Sequence, residues 1–187
     1  MANIEMTLRS QTWPFTFSML DTCIKTAGLE YTLQGGHSLT FFAPSDDAFR
    51  LHSRSPYDLL KNVEELRKLL QYHLVPLQLS SADLKRYAVP RSREHMTTNA
   101  PHEQLPNGTK ELELPTILQS PLILTISSPD VLMVQGIRVV QSDLEADNGV
   151  IHVIDGILWP PNMSEESFGL RRPSSYEGRI PGQEARS

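Results

Sequence analysis

Between Val131 and Pro161 the chain reads VLMVQGIRVVQSDLEADNGVIHVIDGILWPP. Three apolar runs separated by polar turns are packed into about thirty residues, which leaves little besides closely spaced strands. Gly136 divides the first run from the second, Asn148-Gly149 introduces the third, and Pro160-Pro161 ends it. Asn-Gly readily takes the positive φ of a tight reversal, so a strand turning back over Val150 to Ile154 is expected. Along it Val150, His152 and Ile154 point one way, and Ile151, Val153 and Asp155 the other. Both faces are mostly apolar, the mark of an interior strand. His152 is then a polar group the interior must satisfy, and a neutral, hydrogen-bonded core histidine is expected.

A chain of 187 residues has material for one ordinary domain with tails. Its 17 basic and 22 acidic side chains, with no long basic run, argue against nucleic acid as a main partner. No apolar run approaches the ~20 residues needed to span a bilayer. The start, MANIEMTLRSQTWPF, lacks the pattern of a secretory signal, and the end, RRPSSYEGRIPGQEARS, lacks the tail of a lipid-anchor signal. Two options stay open: a protein kept in the cell, or a mature piece of an exported one. Cys23, the single cysteine, allows no internal disulfide and does not decide the compartment.

Residues 1–13 carry little pattern, and residues 1–10 are set apart as an N-terminal extension. From Pro14 to Ala27, Phe15, Met19, Leu20, Cys23, Ile24 and Ala27 recur at helical spacing, with Gly28 as the stop. Cys23 lies on that apolar stripe and reads as a small buried hydrophobe. Gln34-Gly35-Gly36 makes a turn, and Leu39 to Ala43 reads as a short strand. It runs into Pro44-Ser45-Asp46-Asp47, where proline and acidic side chains suit the first turn of a helix.

The segment LTFFAPSDDAF, Leu39 to Phe49, resembles the first signature of fasciclin-like domains, T-x-F-A-P-(T/S)-(N/D)-x-A-F. Phe42, Ala43, Pro44, Ser45, Asp46 and Phe49 carry that likeness. The stretch NGVIHVID resembles the second signature through Asn148, Gly149, His152 and Asp155, followed by an apolar pair and Pro160. Two long motifs in the right order, about a hundred residues apart, are a specific signal. Between them, Asn62 to Glu65 reads as a helix cap, with Val63, Leu66, Leu69, Leu70 and His73 near one face. The phrase LQYHLVP, Leu70 to Pro76, resembles the family's tyrosine-histidine segment, linked to integrin recognition in some animal members. The resemblance makes Tyr72 and His73 candidates for partner binding by position alone. Packing is the competing role, because the pair sits among leucines.

Ser80 to Leu84 reads as a capped helical turn. Arg91 to Pro106 is polar and proline-punctuated, departs from the family pattern and is expected as a long loop. His95 and His102 each stand beside a glutamate but lack ligand-spaced partners, so no metal site is expected. Asn107-Gly-Thr109 and Asn162-Met-Ser164 are glycosylation sequons at expected turns, which makes Asn107 and Asn162 candidate acceptors. Strands are expected over 112–114, 122–126, 131–134, 137–140 and 150–154. Helices mainly first and strands mainly second make an α+β protein. The resemblance implies a wedge-shaped β-sandwich with helices along one edge, spanning residues 11–161. Residues 162–187, rich in Ser, Gly, Pro and Arg, are expected as a disordered tail.

Asp46, Asp47, Asp143, Asp147 and Asp155 read as turn and cap residues. There is no G-x-S-x-G elbow, phosphate-cradling glycine loop or H-E-x-x-H. Ser45 with His73 or His152 offers a nucleophile and base by residue type, but nothing in the sequence brings them together. A non-enzyme without a cofactor is therefore expected. The resemblance implies an adhesion or matrix and cell-wall module, extracellular or at the cell surface, binding surface proteins or polysaccharide. The family includes a plant arabinogalactan type with clustered Ala-Pro, Ser-Pro and Thr-Pro segments. Here Ala43-Pro44, Ser55-Pro56, Ala100-Pro101, Ser120-Pro121 and Ser128-Pro129 are scattered. Membrane association would need an anchor absent from this chain, and the sequence sets no oligomeric state. The alternative is a carrier of an apolar small molecule such as a pigment, with Met96, Met133, Trp13 and Trp159 available to line a groove.

Overall fold

The computed structural model of the chain describes residues 2–52, 56–90, 108–127 and 131–164. The helices within them are α1 (Ile4–Ser10), α2 (Ser18–Ala27), α3 (Glu30–Gln34), α4 (Asp46–His52), α5 (Val63–Tyr72) and α6 (Ser81–Tyr87), with a 3-10 turn at Pro56–Lys61. The strands are β1 (Leu39–Pro44), β2 (Leu74–Val75), β3 (Val89–Pro90), β4 (Lys110–Leu114), β5 (Leu122–Ser127), β6 (Val131–Val134), β7 (Ile137–Ala146) and β8 (Gly149–Ile154).

Local chemistry accounts for the main helices. In α5, Asn62 Oδ1 accepts the Glu65 N–H at 3.3 Å, and Glu64 and Glu65 sit in the first turn, where the helix dipole favours negative charge. Leu66, Leu69, Leu70 and Tyr72 form its buried face. Each leucine fully buried in this way contributes roughly 1.5–3 kcal/mol. Gly28 ends α2 in the left-handed region, φ 68°, its N–H turned back to Ile24 and Lys25 carbonyls. A capping box of Ser80 and Asp83 opens α6.

The strands form one ladder in the order β2-β1-β8-β7-β6-β5-β4-β3. β1 and β8 run parallel as its second and third strands, with Leu39 opposite Gly149 and Pro44 opposite Ile154; the other pairings are antiparallel. β7 serves both halves. Its first residues pair with β6, and from Val139 onward it pairs with β8 through shifts in register, where an extra residue bends a strand. The halves fold over one another, so Phe42 and Ile154 from the inner strands share a core with Leu122, Leu124, Leu132 and Val134 from the outer ones. The opposite face of β1 and β8 gives Phe41, Ile151 and Val153 to a second core with Leu20, Ile24, Leu66 and Leu69 of the helices. This is an α+β domain, and the sandwich is a single bent ladder.

Four local expectations change. α1 lies where the sequence carried little pattern, within residues 1–10 expected as an extension. Its Ile4 and Leu8 belong to the helix-side core. α2 starts at Ser18 rather than Pro14, because the carboxylate that satisfies its first N–H groups comes from Asp46. β7 runs on to Ala146, beyond Val140. Neither Asn148 nor Gly149 has a positive φ; the left-handed pair is instead Gln135 and Gly136, φ 49° and 77°, the tight turn between β6 and β7. Residues 91–107, with His95, Met96, His102 and Asn107, and residues 165–187 of the expected tail lie outside the described residues.

Candidate functional site

The two signatures meet along the parallel pair β1 and β8, and their residue types follow from close approach. A Cβ on Gly149 would stand 2.1 Å from the Leu39 carbonyl oxygen and 2.9 Å from Ile4 Cδ1, so only glycine allows the two strands to approach. Asn148 spends its amide on three backbone groups. Its Oδ1 accepts the Ile4 N–H at 2.9 Å, and its Nδ2 donates to the Leu33 and Gly35 carbonyls at 2.6 and 2.9 Å. It ties α1, the end of α3 and the β7–β8 turn together.

In the first signature, Ser45 and Asp46 act at helix starts. Ser45 Oγ faces the Ala48 N–H at 3.4 Å. Asp46 accepts from Thr16 Oγ1 at 2.6 Å, the Ser18 N–H at 3.2 Å and the Met19 N–H at 2.8 Å. Burial alone would raise the Asp46 carboxyl, but these bonds outweigh it and hold the group below the usual range. Phe42, Ala43, Pro44 and Phe49 are buried, and the Asp155 N–H donates to the Arg138 carbonyl at 3.2 Å.

His152 is wholly buried and stacked on Phe42, ring centroids 5.5 Å apart. The Asp143 N–H faces its Nδ1 at 3.3 Å and the Leu79 carbonyl faces Nε2 at 2.8 Å. A backbone N–H can only donate and a carbonyl only accept, so the ring is neutral with its proton on Nε2. The chain of bonds continues outward. Thr40 Oγ1 accepts the Leu79 N–H at 2.9 Å and donates to the Leu77 carbonyl at 2.6 Å, while the Asp143 carboxylate accepts from the Ser81 N–H at 2.7 Å and from the Ser81 hydroxyl. Burial pushes the His152 pKa down, although the Leu79 carbonyl and Asp143 pull the other way.

Tyr72 and His73, candidates for partner contact by position, are each only 1% exposed. His73 donates from Nδ1 to the Leu69 carbonyl at 2.8 Å and accepts the Leu158 N–H on Nε2 at 3.1 Å, the opposite tautomer to His152. Burial lowers its pKa to about 4. The Tyr72 hydroxyl donates to the Pro121 carbonyl at 3.1 Å and accepts from Gln135 Nε2 at 2.8 Å; burial raises its pKa, with the Gln135 bond opposing. The Ile117 N–H donates to the Leu74 carbonyl at 2.9 Å. The segment is thus an internal post. What it holds up is surface: the turn after β2, with Leu77 48% exposed, and the connection between β4 and β5. The signature gives no sign of these loops, because their side chains are set by exposure and not by a shared pattern.

Both ring nitrogens of both histidines are turned to backbone groups, and neither is bonded to Ser45. Burial pushes the Cys23 thiol up to about 12, which leaves it protonated and inert at neutral pH. Among the described residues no cluster of three or more His, Cys, Asp or Glu side chains could hold a metal, and no helix is long and apolar enough to cross a membrane. Hollows of about 300 and 370 Å³ lie beside Glu113, Gln119 and Pro121 and beside His37, Leu77 and Gln78. Trp13 (83% exposed), Met133 and Trp159 line neither of them. Asn162, exposed with φ 65°, stands on the turn after β8.

Comparison with known proteins agrees with this geometry. The chain is 32% identical over 143 residues to the uncharacterized protein sll1735 of Synechocystis, covering 76% of this chain and 88% of that one. It is 30% identical over 154 residues to the transforming growth factor-beta-induced protein ig-h3 of Sus scrofa, covering 82% of this chain and 19% of the relative. A solved FAS1 domain pair from the insect cell adhesion molecule fasciclin I superposes with a TM-score of 0.61 at 20% identity, over 89% of this chain and 52% of that one, and so shares the fold. With the fasciclin domain model matching residues 15–160, the chain belongs to the fasciclin domain family.

Proposed function

We propose that this chain is a non-enzymatic adhesion or matrix-interaction module that works outside the cell or at its surface, binding surface proteins or polysaccharide through its loops. The observation that carries the reading is the complete internal use of its most distinctive polar groups. Tyr72, His73, Asn148 and His152 all spend their hydrogen bonds within the fold. No reactive group among them faces solvent, and what remains for a partner is the surface they position. The family's adhesion members, such as the insect molecule of the same fold, support this direction.

The test is a binding assay of the full chain against extracted matrix proteins and wall polysaccharides, comparing wild type with Leu77→Arg. The reading expects Leu77→Arg to keep its melting temperature and to lose binding about tenfold or more, since a charge replaces a partly exposed apolar contact. A wild-type chain that binds nothing in either extract contradicts the reading. Glycan occupancy at Asn162 and Asn107, read by intact mass before and after enzymatic deglycosylation, tests export: occupied sites support it and bare sites oppose it.

A further inference from the structure

We infer that the hollow between the turn after β2 and the loop leading into β1 is a subsite for one neutral sugar ring of a polysaccharide, an inference that rests on the surface-binding reading above. The hollow measures about 370 Å³ and opens to solvent, which suits a ring whose chain continues past the site and lies at the small end of the ~300–1,000 Å³ typical of ligand pockets. Four of its lining side chains are Thr32, His37, Ser38 and Gln78. Two hydroxyls, an imidazole and a primary amide each provide both donor and acceptor capacity, as a ring of sugar hydroxyls requires. No other described residue is hydrogen-bonded to any of these four side chains. Leu77 and Ile117 supply apolar surface for the C–H face of the ring.

The lining holds no lysine, arginine, aspartate or glutamate. An anionic uronate or sulfated sugar would give up its hydration without gaining a counter-charge, so the preference is for neutral rings. The walls are also fixed from beneath. The Leu77 carbonyl is held by Thr40 Oγ1, Leu79 by Thr40 and His152, and the Ile117 N–H by the Leu74 carbonyl. A site whose walls are held before the ligand arrives loses less on ordering.

The probes are cellobiose, lactose and maltose, titrated into the full isotope-labelled chain and followed by amide shifts. Glucuronic acid serves as the anionic control. The inference expects saturable shifts for at least one neutral disaccharide, centred on His37, Ser38, Leu77 and Gln78, and none there for glucuronic acid. Ser38→Ala with Gln78→Ala should weaken that binding about tenfold or more with an unchanged melting temperature. No saturable shift with any neutral probe overturns the subsite, as do shifts centred elsewhere or binding unaffected by the double substitution. If the same samples still bind the matrix extract, only the subsite has failed and the surface-binding reading stands. If they bind neither, both are overturned.

Discussion

The inner pair of strands and the outer wing are built to different rules. β1 and β8 are buried along their whole length, on the helix side and on the wing side alike. β5 and β7 alternate, one face inward and the other open or half-open to water. A residue on the inner pair is constrained from both sides, and any polar group it carries must find a partner within the fold. On the wing every second residue is answerable mainly to solvent. Family signatures therefore fall on β1 and β8 and their ends, and a change of sequence is felt very differently in the two regions.

The sharpest way to break this contrast is Gly149→Ala. Its Cβ would meet the Leu39 backbone oxygen at 2.1 Å, where no side chain can yield. The expected loss exceeds about 5 kcal/mol or abolishes folding, placing it in the exceptional class of substitutions, and a urea melt reads it. His152→Ala comes next. It leaves the Asp143 N–H and the Leu79 carbonyl without a partner and opens a void beside Phe42. The expected cost is roughly 4 kcal/mol by thermal or urea unfolding.

Acid probes the polar groups held inside the fold without a mutation. An unfolded histidine takes up a proton near 6.5, whereas buried His73 resists one until about 4. Across that window the unfolded chain binds a proton that the native chain refuses, so stability falls as pH drops from 6.5 to 4 and this contribution then levels off. The loss amounts to ~3 kcal/mol. Asp46 acts lower: its depressed carboxyl contributes stability above its ordinary 3.8 that is lost only below it. Urea midpoints across pH should show the two stages, and His73→Ala should reduce the upper one, leaving the part that His152, also held down by burial, contributes. The smallest effect belongs to the wing. Arg138→Thr and Val140→Thr lie on its open face, and each should shift stability within about 0.5 kcal/mol.

Legibility follows the same division. The inner strands could be read because two-sided burial writes a nearly continuous apolar run, and His152 could be placed by its alternation. Asn148-Gly149 was legible as a special pair, but its reason was not: the needs it meets come from Ile4, Leu33, Gly35 and Leu39, distant in sequence. α1 leaves little trace in the sequence because a seven-residue helix shows little periodicity, and its buried Glu5 is answered by Arg9 and by Gln34 of another helix. The later part of β7 was hidden by its register shifts, which break the period of two just where Asp143, φ 61°, turns its N–H to His152. At the candidate surface, Tyr72 and His73 were visible as a motif, yet the loops they hold carry no pattern of their own.

The central claim is that the two buried histidines, His73 of the tyrosine-histidine segment and His152 of the second signature, are neutral internal posts. Nitrogen chemical shifts of the imidazole rings at neutral pH test it directly. The account predicts two opposite, non-averaging tautomers: His73 carrying its proton on Nδ1 and His152 on Nε2. A charged ring at either position, or rapid averaging between tautomers, would contradict it.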